Sequence, residues 1–89
     1  MEFEWNLAKA ALNEQKHGLT FQVVVAVFSD PFLLDIDVSR DADGEPRRKA
    51  VGRVGENVFT LVYTRRGSVV RVISARRANT QEMRKYGVR

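Results

Sequence analysis

The hydrophobic positions at the start of the chain change from a strand-like to a helix-like spacing. Residues 2–5 alternate polar and apolar side chains, which predicts a short strand with Phe3 and Trp5 on one face. Asn6 then has the character of a helix N-cap, and residues 7–17 are mostly good helix formers. The pattern therefore predicts a strand that is followed directly by a helix.

This first helix ends at Gly18 and carries a narrow apolar stripe. Ala8, Ala11 and Leu12 lie at separations of three and four, so we expect the stripe to pack inward. A second short helix is predicted over residues 21–28, although its three consecutive valines favour a strand by intrinsic propensity.

Strand patterns dominate the rest of the chain. Asp30 and Pro31 stop the second helix, and the apolar run that follows changes to alternation, as expected for a strand buried at one end. A polar loop over residues 39–46 separates this strand from three more, which are joined by hairpin-sized connections. The predicted strands cover residues 32–38, 47–52, 58–64 and 69–75.

The last strand and the last helix complete the predicted fold. Strict alternation in the last strand places one set of side chains together: Val69, Arg71, Ile73 and Ala75. Asn79, with Glu82 three residues later, forms a capping-box-like start for a helix that reaches Tyr86. The order β-α-α-β-β-β-β-α predicts an α+β fold, a small antiparallel sheet with helices packed on it, in a single domain over residues 1–89.

Charge is distributed unevenly between the two halves of the chain, whose net formal charge is +4. Residues 1–45 carry three basic and nine acidic side chains, a net −6, whereas residues 46–89 carry twelve basic and two acidic ones, a net +10. Ten of those twelve are arginines, whose planar group matches a phosphate in two directions and stacks on bases. A polyanionic partner is the first hypothesis, and pairing of the arginines with the acidic half is the alternative.

Composition also excludes several classes of protein. The chain has no cysteine, which rules out disulfides, a thiol nucleophile and cysteine-ligated metal sites, and we expect a cytoplasmic location. The longest apolar run, residues 23–28, is far too short to span a membrane. The acidic N-terminus does not resemble a signal peptide.

Familiar cofactor and metal motifs are missing from the sequence. It has no Walker loop and no dinucleotide-binding glycine cluster, and we expect no cofactor. A lone His17 cannot form a histidine-based metal site. Asp35 and Asp37 could bind a divalent ion together with Asp30, but acidic loops and edge strands are usually only solvated.

The remaining polar residues fit cleavage of RNA without a metal. Attack by the RNA's own 2′-hydroxyl requires a base for its proton, cations for the charge that develops on the phosphate, and an acid for the leaving 5′-oxygen. The candidates for these roles are Lys9, Lys16, His17, Glu45, Arg47, Tyr63, Arg65, Arg71, Arg76 and Glu82.

Several candidates have a purely structural alternative. His17 can interact with the dipole at the C-terminal end of its helix, and Glu82 can simply close the cap of the last helix. Tyr63 can be a half-buried strand aromatic whose hydroxyl reaches solvent. The consecutive Arg76 and Arg77, at the junction of strand and helix, are harder to explain as ordinary surface charges.

Two groups of residues are similar to the signatures of a known family. The first group is Glu4-Trp5-Asn6, Lys9, Asn13, Lys16-His17-Gly18, Phe21, Ala26, Phe28 and Asp30-Pro31. The second group is Gly44-Glu45, Arg47, Gly52, Tyr63-Thr64, Arg71, Ile73-Ser74-Ala75-Arg76, Ala78, Glu82 and Tyr86. In this order, over essentially the whole chain, they resemble the BrnT family of bacterial ribonuclease toxins from type II toxin-antitoxin pairs.

The resemblance implies a RelE-like fold and a toxin that cuts RNA and inhibits translation. It also implies a BrnA-like antitoxin partner that carries a ribbon-helix-helix DNA-binding part. This chain would then bind operator DNA only through that antitoxin. The family's characteristic polar positions are occupied by Lys9, His17, Glu45, Arg47, Arg71, Arg76 and Glu82. Pro46, Arg48 and Lys49 depart from the expected acidic and apolar residues, so the start of that strand is expected to be irregular or unusually basic.

The leading hypothesis is therefore a metal-independent endoribonuclease toxin whose arginines converge on one pocket. Its predicted catalytic residues are Lys9, His17, Glu45, Arg47, Arg71 and Arg76, and its predicted RNA-binding residues are Lys16, Tyr63, Arg65 and Arg77. The arginines would hold the phosphate, while His17 or Lys9, with Glu45, would transfer protons. We expect the antitoxin to cover the cationic cleft, with Phe3 and Trp5 as possible anchors.

Two further hypotheses stay open at this point. The chain could be a basic module that binds RNA or the antitoxin without cutting anything. It could also be a subunit of a repressor whose DNA contacts come mainly from its partner.

Overall fold

The fold is one five-stranded sheet with three helices, seen in a computed structural model that describes residues 1–87. In chain order the strands are β1 (Glu2–Trp5), β2 (Leu34–Asp37), β3 (Arg48–Val54), β4 (Asn57–Arg66) and β5 (Val69–Arg77). The helices are α1 (Leu7–His17), α2 (Phe21–Val24) and α3 (Thr80–Gly87). The α+β class and the order of the elements are as predicted, and no helix in the described range is long and apolar enough to cross a membrane.

The sheet is mixed, with the strand order β1-β5-β4-β3-β2. Three of its strand pairs are antiparallel, as predicted, but β1 pairs in parallel with β5. The prediction of an antiparallel sheet is therefore wrong for this one pair. The parallel pair arises because the N-terminal strand lies against the outer edge of the meander that β2 to β5 form. Alternation of side chains along a strand carries no information about the direction of its neighbour.

One face of the sheet, which we call the helix face, packs against α1 and α2. α2 continues into a 3₁₀ segment, Val25–Ser29, so the predicted second helix exists in two parts. Val24 and Val27 are completely buried there, and this tertiary burial overrides the strand propensity of the valines. Gly52 of β3 allows the close approach, because a Cβ at this position would lie 3.0 Å from Val27 Cβ.

α1 faces the sheet with a different side from the one predicted. The predicted inward stripe is exposed: Ala8, Ala11 and Leu12. Instead Asn13 is buried, and its side chain donates to Ala75 O at 2.9 Å and accepts from Ala75 N at 3.1 Å. Since β1 pairs with β5 only as far as Val72, this amide takes the place of a neighbouring strand at the free edge beyond it. A buried polar contact therefore sets the orientation of α1.

The opposite face, which we call the open face, is covered by α3 at one end, where Tyr86 packs against Val51 and Val58. A bulge in β5 decides which β5 residues lie on it. β4 pairs Val62 with Ser74 and then Tyr63 with Val72, which leaves Ile73 as an extra residue. The bulge reverses the alternation, and three polar side chains share the open face: Arg71, Ser74 and Arg76. Ala75 is buried on the helix face, so the prediction that it lies beside Arg71 is wrong.

Candidate active site on the open face

A cavity of ≈ 360 Å³ lies on the open face over β3, β4 and β5. Its basic side chains are Arg47, Lys49 and Arg76, with Arg40 on the side of the preceding loop. The other residues that line it are Val38, Asp43, Val62, Ile73 and Ser74. Arg47 and Arg76 were predicted to share a pocket, and the structure brings them together; Lys49 was not among the predicted site residues.

A buried carboxylate holds two of these cations in place. Glu82 of α3 is 2% exposed, and it accepts from Arg76 Nη1 at 2.7 Å and from Arg76 Nη2 at 2.9 Å. Lys49 Nζ donates to the same carboxylate at 2.8 Å. The Thr60 hydroxyl and the Asn79 N–H each donate to it at 2.8 Å. All five donors converge on one buried side chain, which is thereby fixed against the cations that line the cavity.

The charge state of Glu82 follows from these contacts. Burial by itself raises the pKa of Glu82, but the hydrogen bonds from Arg76 and Lys49 outweigh it and hold the pKa far below its usual range. The bond to Glu82 in turn raises the pKa of Arg76. Glu82 N also donates to Asn79 Oδ1 at 2.8 Å, so the predicted capping box is confirmed. Because two cations share one anion, the group keeps a net positive charge.

Arg47 enters the cavity beside an acidic residue. Its Nη1 lies 3.6 Å from Asp43 Oδ1, and within the described part of the chain its Nε is buried with no hydrogen-bond partner. Asp43 is held mainly by Arg40, whose Nε and Nη2 donate to it at 3.0 Å and 2.9 Å and lower its pKa. A guanidinium has five N–H donors, so Arg47 retains donors for a ligand.

A smaller groove of ≈ 230 Å³ adjoins this cavity at the free edge of β5. It is lined by α1 residues and by two residues of the bulge: Lys9, Leu12, Asn13, Lys16, His17, Ile73 and Ser74. Ile73 and Ser74 also line the cavity, so the two spaces are neighbours. The structure thereby brings the predicted Lys9, Lys16 and His17 next to the arginines of the cavity.

The cationic side chains of the groove are exposed. Lys9 contributes its backbone N–H to Asn6 Oδ1 at 3.0 Å, which confirms Asn6 as the N-cap of α1. His17 lies in the last turn, before Gly18 with its φ of 70°, as predicted. Over residues 1–87, no ion pair or side-chain hydrogen bond involves the side chains of Lys9, Lys16 or His17. These groups are available to a phosphate or to a partner.

Two predicted catalytic residues lie outside both the cavity and the groove. Arg71 shares the open face, but its Nη1 lies 3.4 Å from Glu4 Oε2 of β1. Glu45 lies in the loop before β3, in a separate depression of ≈ 350 Å³. Its Oε2 lies 3.8 Å from Arg66 Nη2. One arginine and two acidic residues line that depression, whereas four basic residues and one acidic residue line the cavity, so the depression attracts an anion less strongly.

Three predicted RNA-binding residues point to the helix face. Tyr63 is completely buried and its hydroxyl donates to Asp35 Oδ2 at 2.8 Å; burial and this bond raise the pKa of Tyr63. The Arg65 guanidinium lies 5.8 Å from the centre of the Tyr63 ring. The Arg77 guanidinium lies 5.7 Å from the centre of the Phe59 ring. None of the three shares the cavity with Arg76.

The aspartates that were considered as metal ligands have protein partners. Asp35 accepts from Arg48 Nε at 2.9 Å as well as from Tyr63. Asp30 accepts from the Arg53 N–H at 2.7 Å. Between residues 1 and 87 there is no group of three His, Cys, Asp or Glu side chains placed to hold a metal ion.

Comparison with known proteins covers the whole of this site. The model of the family described as "Ribonuclease toxin, BrnT, of type II toxin-antitoxin system" matches residues 5–82 of the 89. The matched range contains every residue that lines the cavity and the groove, and it ends at Glu82. No curated protein matches the chain.

Proposed function

This chain belongs to the BrnT family of type II toxin-antitoxin ribonuclease toxins, and we propose that it cleaves RNA on the open face without a metal ion and thereby inhibits translation. Membership of the family implies an RNA target and an antitoxin partner. The observation that supports the proposal most strongly is the convergence of Arg47, Lys49 and Arg76 on one cavity.

The cavity is suited to hold the phosphate that is cut. Lys49 and Arg76 are pre-positioned by Glu82, yet each keeps N–H donors that the carboxylate does not use. Positive charge fixed where negative charge develops stabilises a transition state without reorganisation during the reaction. Glu82 acts in this proposal as a positioning residue, because it touches the cations and not the RNA.

The groove supplies groups that can transfer protons. In the proposed reaction the 2′-oxygen attacks the phosphorus, and the proton of the 2′-hydroxyl passes to the imidazole of His17. The bond from phosphorus to the 5′-oxygen breaks, and the ammonium of Lys9 donates a proton to that oxygen. The products are a 2′,3′-cyclic phosphate and a free 5′-hydroxyl. Lys16, on the same groove, binds a neighbouring phosphate of the strand.

One observation favours a second function, in which the chain binds RNA or the antitoxin without cutting. Both Nη atoms of Arg76 already bind Glu82, which is also the arrangement of a purely structural ion pair. In that case the cationic face would serve only for binding, and the toxin-antitoxin complex would act as an autorepressor.

Incubation of purified protein with RNA in excess chelator distinguishes the two functions. We expect RNA fragments that end in a cyclic phosphate. A shift in RNA mobility without fragments would support the binding module, and cleavage that appears only after Mg²⁺ is added would disprove the metal-free reaction.

A further inference from the structure

The outward side of the first turns of α1 is apolar, and the exposed polar Gln15 follows on the same side. Leu7 is 79% exposed and Leu12 is 64% exposed, and Ala8 and Ala11 are exposed as well. At roughly 100° per residue these four side chains form one continuous surface along the helix, which we call the apolar strip. The strip does not help to build the core, since Asn13 and Ala10 face the sheet instead.

Free positive charges border the apolar strip on one side. Around the helix, Lys16 and Lys9 follow Leu12 and precede Asn13, which faces β5. Neither ammonium group has an acidic partner among residues 1–87. A molecule that approaches α1 from outside therefore meets an apolar surface with two unpaired cations along one edge.

We propose that an amphipathic helix of the antitoxin docks on the apolar strip, with carboxylates opposite Lys9 and Lys16. The inference rests on the proposed function, because membership of the toxin family supplies the antitoxin as the partner. The combination of surfaces selects this occupant. RNA would pair with the lysines but leave both leucines in water. An acidic amphipathic helix would bury the apolar strip and also pair its carboxylates with the two lysines.

Docking at this position also explains how the partner silences the site. Lys9, Leu12 and Lys16 belong to the wall of the groove, whose Ser74 is shared with the cavity. A helix that binds the two lysines occupies the groups that would otherwise bind the RNA strand. Inhibition then requires no contact with Arg47 or Arg76 inside the cavity.

Two substitutions separate antitoxin binding from cleavage, because Leu7 and Ala11 line neither the groove nor the cavity. Leu7→Asp and Ala11→Asp in the full chain are each expected to weaken binding of the cognate antitoxin at least about tenfold, measured by calorimetry. RNA cleavage by each variant alone is expected to match that of the parent. Val23→Asp, at an apolar α2 residue that is 52% exposed, is the matched control and should change neither property.

Each outcome of this experiment has a defined meaning. If both variants bind the antitoxin as tightly as the parent does, the proposal is overturned. It is also overturned if light scattering shows that the chain alone is a dimer and that Leu7→Asp converts this dimer to a monomer. Loss of affinity in Leu7→Asp, with no RNA cleavage by the parent, would count against the ribonuclease and support the interface. Far-UV circular dichroism and thermal melting identify a variant that does not fold. In that case the double variant Lys9→Glu with Lys16→Glu provides the independent test. Antitoxin affinity equal to that of the parent would again overturn the proposal.

Discussion

The cavity and the groove both present positive charge to the same stretch of surface, but they hold it in opposite ways. In the cavity, Lys49 and Arg76 are hydrogen-bonded to the buried carboxylate of Glu82. In the groove, Lys9 and Lys16 are exposed. Charges fixed in one geometry suit the stabilisation of a single transition state, whereas exposed charges that no protein partner holds suit a flexible strand or an exchangeable partner.

The difference comes from the element that lies behind each region. α3 lies next to the cavity, and its capping residue Glu82 binds the Lys49 and Arg76 side chains that line the cavity. α1 is attached to the edge of β5 through the amide of Asn13, which forms bonds with the backbone of Ala75 and leaves the neighbouring lysines free. One helix thus orders the cations beside it, and the other only presents them.

The largest expected effect is the loss of this order when Glu82 is neutralised. Glu82→Gln should lower the free energy of unfolding by about 2 to 3 kcal/mol, since two cations then lack their buried counterion but can still turn toward solvent. Denaturant unfolding measures the change. Glu14→Gln, at an exposed position of α1, is the matched control and should stay within about 0.5 kcal/mol of the parent. Equal stability of Glu82→Gln and the parent would show that the network contributes nothing.

The next effect concerns catalysis in the cavity. Arg76→Ala should lower kcat at least about tenfold, or about 1.4 kcal/mol in the barrier, with the fold retained. Arg77→Ala tests the contrast, because that neighbouring arginine points to the helix face and should leave kcat within about twofold. Single-turnover RNA cleavage and circular dichroism give both quantities. If the two variants lose activity equally, the assignment of the phosphate site to the open face is wrong.

Acid should reduce the stability that the ionised Glu82 contributes, even while the folded protein still holds this carboxylate ionised. The pKa of Glu82 in the folded state lies below its ordinary value of 4.5, so its stabilising contribution is complete above that value and declines as the pH falls below it toward the folded pKa. The stability difference between the parent and Glu82→Gln should therefore shrink by up to about 1.4 kcal/mol per pH unit below that point. Urea unfolding of both proteins from pH 7 to pH 3 measures it, and a constant difference would contradict the assignment.

The smallest effect is expected in the groove. Lys16→Ala should raise KM about threefold without changing kcat, since an exposed ammonium adds binding to one phosphate only. The slope of log KM against log salt should fall by about 0.7, the contribution of one contact with a single strand. A lower kcat with unchanged salt dependence would instead place Lys16 in the chemical step.

The parts of this fold that were predicted correctly depend on local interactions. Asn6 and Gly18 bound α1 as expected, because capping involves residues only a few positions apart. The pairing of Asn79 with Glu82 was predictable for the same reason. Arg47, Arg76 and His17 were proposed as site residues from their chemistry and from the family resemblance, and their roles stay predictions.

The errors arose where distant parts of the chain meet. The bulge at Ile73 reverses the alternation of side chains along β5, and no local sequence pattern predicts this bulge. The inward side of α1 is set by Asn13 binding the edge of β5, so a stripe chosen by hydrophobicity faced the wrong way. Lys49 gave a signal as a lysine within a strand, but its contact with Glu82, thirty-three residues further on, could not be predicted from local sequence.

The most direct test of the central claim is single-turnover cleavage of an end-labelled RNA in excess chelator by the parent and by a double variant, Arg47→Ala with Lys49→Ala. If the cavity holds the scissile phosphate, the parent cuts the RNA and the variant, still folded, cuts it at least about a hundredfold more slowly. Equal rates for the two proteins would show that the cations of the cavity do not take part in the reaction.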